Sequence, residues 1–155
     1  MGLDDYRQYH DRILSNFLRT ISRLNRLTIT GSYLEWNTLD SSLTSALLHL
    51  MHLPTINHID LSDIQSFPLS TCLTPSVNLH RIDLSNMIHY GPVDGSPEII
   101  QSGLVSKIRE FHTSNSTHLT TTLLYAKMQD GRPAFNFMDL RRLSAFLTLE
   151  DESNI

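Results

Sequence analysis

Apolar residues recur along this chain in one spacing: apolar, two variable positions, apolar, one variable position, apolar. The pattern reads Leu24-Asn25-Arg26-Leu27-Thr28-Ile29 and then Ile56-Asn57-His58-Ile59-Asp60-Leu61. It returns as Leu79-His80-Arg81-Ile82-Asp83-Leu84, Ile108-Arg109-Glu110-Phe111-His112-Thr113 and Leu140-Arg141-Arg142-Leu143-Ser144-Ala145. Fourteen of the fifteen apolar slots are filled, Thr113 being the exception, in a chain that is 40% hydrophobic. Side chains of a strand alternate between two faces. Each copy therefore predicts a strand, and stacked parallel strands bury two ladders. One is Leu27, Ile59, Ile82, Phe111 and Leu143; the other is Ile29, Leu61, Leu84, Thr113 and Ala145. No copy can bury its apolar face alone, so the copies need one another.

This is the strand half of a leucine-rich repeat. The expected fold class is α/β: an irregular leucine-rich-repeat-like solenoid arc of about five parallel strands with helical or irregular crossovers. The copies are spaced by 32, 23, 29 and 32 residues, against roughly 20–29 in regular arrays. The slot that usually carries a hydrogen-bonding Asn holds Ser32, Ile64, Met87, Ser116 and Thr148, which predicts different turns after the strands.

Between the strands, Leu39, Leu43, Ala46, Leu47 and Leu50 fall at helical spacing within Trp36–His52. Asp40, Ser41 and Ser42 mark the helix start, and Pro54 follows its end. Residues 1–23 are expected to form a capping helix on the first strand, with Ile13, Leu14, Phe17, Leu18 and Ile21 on one face. Pro97–Ser106 predicts a short helix, Leu119–Met128 another, and Asp130-Gly131-Arg132-Pro133 a turn. Pro68 and Pro75 predict an irregular 61–79 crossover, and Gly and Pro density makes 88–97 a loop. The domain reading is a cap over 1–23, a repeat domain over 24–149 and an acidic tail over 150–155.

The net charge is −4 and the pI about 6.0, which argues against a nucleic-acid partner. One cysteine, Cys72, excludes a disulfide scaffold and a four-cysteine zinc site. No segment approaches the roughly 20 apolar residues of a spanning helix, and the N-terminus lacks the features of a secretory signal. The expectation is an intracellular chain, cytoplasmic or nuclear, with no membrane partner.

Several phrases are more specific than the ladder. Leu34-Glu35-Trp36-Asn37-Thr38-Leu39-Asp40 through Leu61-Ser62-Asp63, Thr74-Pro75-Ser76-Val77-Asn78-Leu79-His80-Arg81 and Asp94-Gly95-Ser96-Pro97-Glu98-Ile99 are three. Lys107-Ile108-Arg109-Glu110-Phe111-His112-Thr113 and the run Asp130–Leu143 are two more. Together they resemble the leucine-rich-repeat-like region of mushroom-type fungal F-box proteins over most of residues 24–145. The resemblance implies the target-binding part of a cullin-type ubiquitin-ligase receptor. Residues 1–23 are too short for an F-box and lack its Leu-Pro opening, so docking on the ligase adaptor is not implied.

The outward strand positions form columns. The first holds Arg26, His58, Arg81, Glu110 and Arg142; the second Thr28, Asp60, Asp83, His112 and Ser144; the third Thr30, Ser62, Ser85, Ser114 and Phe146. The protein-binding candidates are Arg26, His58, Asp60, Arg81, Asp83, Glu110, His112 and Arg142. The bland reading is a solvated face whose charges satisfy one another, since exposed pairs are worth only about 0–1 kcal/mol each. No catalytic, metal-binding or cofactor-binding residue is assigned. A small hydrolase-like or metal-dependent enzyme using Asp60, Asp83 and His112 is the minor alternative, and an inactive truncated fragment another. His49 and His52 lack the acid of a zincin helix motif. Cys72 has no basic neighbour to activate it. The fifth strand has no visible outer partner, which predicts either self-association through that edge or a missing C-terminal part.

Overall fold

The computed structural model describes residues 3–68, 78–88, 99–100 and 106–146. Cys72, Thr148, the 69–77 part of the second crossover, the 89–97 loop and the tail lie outside the described residues. The elements in chain order are α1 (Leu3–Thr20), β1 (Arg26–Glu35), a 3₁₀ turn (Trp36–Thr38) and α2 (Ser41–Met51). Then come β2 (His58–Gln65), β3 (Arg81–Ser85), β4 (Ile99–Ile100), β5 (Ser106–Lys107) and β6 (Glu110–Ser114). The remainder is α3 (Thr117–Tyr125), β7 (Lys127–Met128), β8 (Phe135–Asn136) and β9 (Arg142–Phe146).

The fold is mixed α/β around one five-stranded parallel sheet, ordered β1-β2-β3-β6-β9. Its register follows the apolar pattern: Leu27 pairs with Ile59, Ile59 with Ile82, Ile82 with Phe111 and Phe111 with Leu143. Ile59, Leu61, Ile82, Leu84 and Phe111 are fully buried. Thr113, the polar exception, is also buried, and its Oγ1 shares a 2.8 Å hydrogen bond with Thr120 of α3. Satisfying the hydroxyl in this way removes the main cost of placing it in the core. Each later strand is entered alike, through one carbonyl that accepts two successive backbone N–H groups. Those carbonyls belong to Asn25, Asn57, His80 and Arg109.

The helices follow ordinary end chemistry. Asp40 caps α2 by accepting from the Ser42 amide at 2.8 Å. The predicted helix over Trp36–His52 therefore starts only at Ser41, after a 3₁₀ turn. Trp36 is buried there, and its ring meets Phe67 edge-on at 5.1 Å. The helix expected over Leu119–Met128 lies at Thr117–Tyr125, and Lys127–Met128 is a short strand instead.

Two expectations are corrected. The helix predicted over Pro97–Ser106 gives way at Ile99–Ile100 to β4, which pairs parallel with β7, and at Ser106 to β5, which pairs parallel with β8; the rest of that span lies outside the described residues. The apolar face of α1 does not cap the first strand as a unit. Ile13, Leu14 and Phe17 are exposed, Phe17 at 62%. The helix packs on α2 through a smaller residue, Ser15, which donates to the Asp11 carbonyl and shares a 3.1 Å bond with Ser42. Only Leu18 and Ile21, at one border of the predicted face, join the core.

Just past the paired ladder positions the strands share one backbone feature. Asp63, Asn86 and Asn115 follow β2, β3 and β6 core positions at one equivalent place and adopt φ of 56°, 50° and 49°. Asn and Asp tolerate this left-handed conformation better than other non-glycine residues. Asn115 Nδ2 donates to Asn86 Oδ1 at 3.1 Å, and Asn86 Nδ2 donates to Asp63 Oδ1 at 3.0 Å. A side-chain ladder therefore exists, one residue earlier than the expected slot. The same place after the first strand core is Gly31, beside a register break between Thr30 and Leu34. A Cβ at Gly31 would lie 2.3 Å from the Leu34 Cβ, so only glycine fits that approach.

Candidate functional site

One face of the sheet carries the ladders and the helices. The other carries the polar columns, aligned across strands in the order Arg26, His58, Arg81, Glu110, Arg142 and Thr28, Asp60, Asp83, His112, Ser144. None of these outward residues is buried. All eight predicted binding residues thus stand on one continuous surface.

Their ion pairs run diagonally. Arg26 lies directly opposite His58 but reaches Asp60, two residues further along the next strand, at 2.7 Å. His58 lies opposite Arg81 and reaches Asp83 at 2.8 Å by the same step. Diagonal neighbours are within range of long side chains. The step fails at Arg81, because its diagonal neighbour on β6 is His112 rather than an acid. Arg81 turns instead to Asp83 of its own strand, with Nε 3.0 Å from both carboxylate oxygens and Nη2 2.9 Å from one. Its Nη1 reaches Glu110, directly opposite, at 3.2 Å. Glu110 is also 3.8 Å from Arg142 and 3.9 Å from His112. The His112 Nε2 is buried without a hydrogen-bond partner.

Asp83 is the anchor. Burial pushes its carboxyl up, but hydrogen bonds from Arg81 and His58 and the charge of both outweigh burial and hold it below the usual value. The hydrogen bond to Asp83, against some burial, raises Arg81. Stabilisation from Asp83 is therefore complete above the unfolded pKa of about 3.9 and is lost as pH falls through the lower folded value. Asp83→Asn is expected to cost about 1–3 kcal/mol at neutral pH. The gap to wild type should narrow below about pH 4, read by denaturant unfolding across pH. An equal gap at both ends would show that the pair acts through shape and not charge.

The enzyme alternative named Asp60, Asp83 and His112. The structure instead gathers His58, Asp60 and Asp83, whose candidate ligand atoms lie within 4.8 Å of one another. His112 turns toward Glu110. Asp60 and Asp83 accept from Arg26 and Arg81, and a cation there would have to displace two guanidinium groups. His58 was readable as a column member, but its partner was not, because the diagonal step is a rotamer choice. The ladder of Asp63, Asn86 and Asn115 borders this surface and had a sequence signal: Gly, Asp, Asn and Asn recur at one fixed offset after the first four copies.

A concavity of about 430 Å³ lies between α1 and the start of α2, lined by Arg12, Asn16, Arg19, Ser41 and Ser42 among others. The Asp40 carboxylate already occupies the helix start, and Ser42 holds its pKa low. Arg19 donates to Ser45 at 3.1 Å. No helix among the described residues is long and apolar enough to cross a membrane. No protein-family model, curated protein or solved structure matches the chain.

Proposed function

We propose that this chain is a noncatalytic protein-recognition module, a leucine-rich-repeat-like arc that binds a protein through the polar face of its sheet. One observation carries the reading. All-parallel sheets normally have both faces covered, and here the polar face is left open among the described residues. An open, polar parallel face is what a repeat arc offers to a partner. The repeat spacing and the resemblance to F-box receptors support the same reading and add its finer form, recognition of a ligase target. The face presents bases and acids in adjoining columns, so the fitting partner is a segment bearing both signs of charge. Arg26 and Arg142 are the more exposed bases, at 58% and 63%, and are free to re-pair with little loss of fold stability.

The enzyme reading has less support. Asp83 is locked to a guanidinium and held ionised, the wrong state for a general acid. The test is affinity capture from fungal lysate, wild type against the triple variant Asp60→Lys, Arg81→Glu, Asp83→Lys, followed by direct binding of each purified partner. A parallel Arg26→Glu, Arg142→Glu variant leaves the Asp83 network intact. Partners are expected to bind the wild type and to weaken by tenfold or more in both variants. A ligase adaptor or ligase substrate among them would favour the finer form. Equal capture by all three proteins would overturn the reading.

A further inference from the structure

At β9 the apolar ladder comes to the surface. Ladder residues Ile59, Ile82 and Phe111 are buried, but their successor Leu143 is 63% exposed, and Phe146 on the opposite face is 69% exposed. No described strand pairs with β9 beyond β6. An edge left unpaired among the described residues is a template for another strand.

The backbone fixes which groups point outward. The Arg142 amide donates to Arg109 and the Phe146 carbonyl accepts from Asn115. In the evenly spaced parallel ladder, Arg142, Ser144 and Phe146 thus direct both backbone groups at β6. Leu143 and Ala145 direct theirs outward.

We infer that two copies of this chain pair β9 against β9 in antiparallel sense, about a twofold axis through Ser144. In this register Leu143 faces Ala145 of the second copy, and each exchanges both backbone hydrogen bonds with its opposite. All outward amides and carbonyls of the strand are then used. Moving the axis to Leu143 or Ala145 would pair one of the two outward residues with a residue outside the strand. The side chains agree with the register. Arg142 stands opposite Phe146 of the second copy, a cation over an aromatic ring, and no like charges oppose. On the ladder side a large Leu meets a small Ala twice, continuing the apolar ladder across the axis. Ser144, small and polar, meets only itself. The patch is its own complement, as a twofold interface requires. The result is one ten-stranded sheet with both polar faces on the same side. The contact is short, so dimerisation is a concentration-dependent equilibrium and not an obligate state.

The test uses the full chain. Light scattering with size exclusion should give a mass that rises from 17.7 kDa toward twice that value with concentration. Leu143→Glu should hold the mass at the lower value at every concentration. Its circular dichroism should not change, because the side chain is exposed before pairing. Cross-linking reads the register separately. In a Cys72→Ser background, Ser144→Cys places two thiols at a non-hydrogen-bonded pair, with Cα atoms about 4.5 Å apart, within disulfide range. Oxidation by diamide should give a covalent dimer at ten times or more the yield of Arg142→Cys, whose twofold mates lie about 14 Å apart. A mass fixed at one chain, an unaffected Leu143→Glu dimer, or equal cross-linking of the two cysteine variants would each overturn the proposal.

Discussion

Replacing Leu61 with Asp is expected to abolish the folded state. Leu61 is fully buried on β2, between Ile29 and Leu84 in the ladder. Removing its side chain alone costs about 2–5 kcal/mol. A carboxylate at that point has no cation to pair with and adds several kcal/mol more, or a proton taken up at the same expense. A domain holds in all about 5–15 kcal/mol. Far-UV circular dichroism and limited proteolysis of Leu61→Asp should therefore report an unfolded chain. Ser62→Asp, one residue on and facing the open side, should stay within about 0.5 kcal/mol of wild type. A cooperative, native-like Leu61→Asp would mean that the assigned inward face of β2 is not the buried one.

The second large effect is at Phe111. Its ring is 99% removed from solvent in the sense that only 1% is exposed, and it lies 5.9 Å from Phe137, which in turn lies 6.3 Å from Phe135. The three rings tie β6 to the segment that leads from β8 to β9. Phe111→Ala leaves a cavity in this cluster and is expected to cost about 3–5 kcal/mol. Denaturant titration should show a lower midpoint with an unchanged slope. A fall in slope would instead mean that the β9 end of the sheet separates from the rest as its own unit.

These effects can be placed because the ladder is legible in the amino-acid sequence. A strand has a period of two, and parallel stacking demands the same offset in every copy, so five short phrases fixed the pairing of Leu27, Ile59, Ile82, Phe111 and Leu143. Other parts carried no such signal. A two-residue strand such as Ile99–Ile100 has no period, and its pairing with Lys127–Met128 is decided by the surrounding chain. In α1 the apolar stripe is plain, but amphipathicity does not say which neighbour a helix will meet, and the contact with α2 includes Ser15. On the polar face the columns were readable from alternation alone. That Arg26 and His58 step diagonally to an acid, and that Arg81 cannot, depends on side-chain reach. The side-chain ladder of Asp63, Asn86 and Asn115 stands one residue before the slot that carries Asn in regular repeats, so the regular repeat pattern does not point to it.

The strand order also bears on how the chain is made. β1, β2, β3, β6 and β9 occupy the sheet in the sequence in which they leave the ribosome. No strand must wait for a later one to be inserted between it and its neighbour. Each edge exposed during synthesis is the docking place for the next strand to emerge, and domains that assemble this way spend little time with unpaired apolar ladders exposed. Translation pauses between residues 85 and 110 would be the exception, since β3 would then wait at the edge for β6.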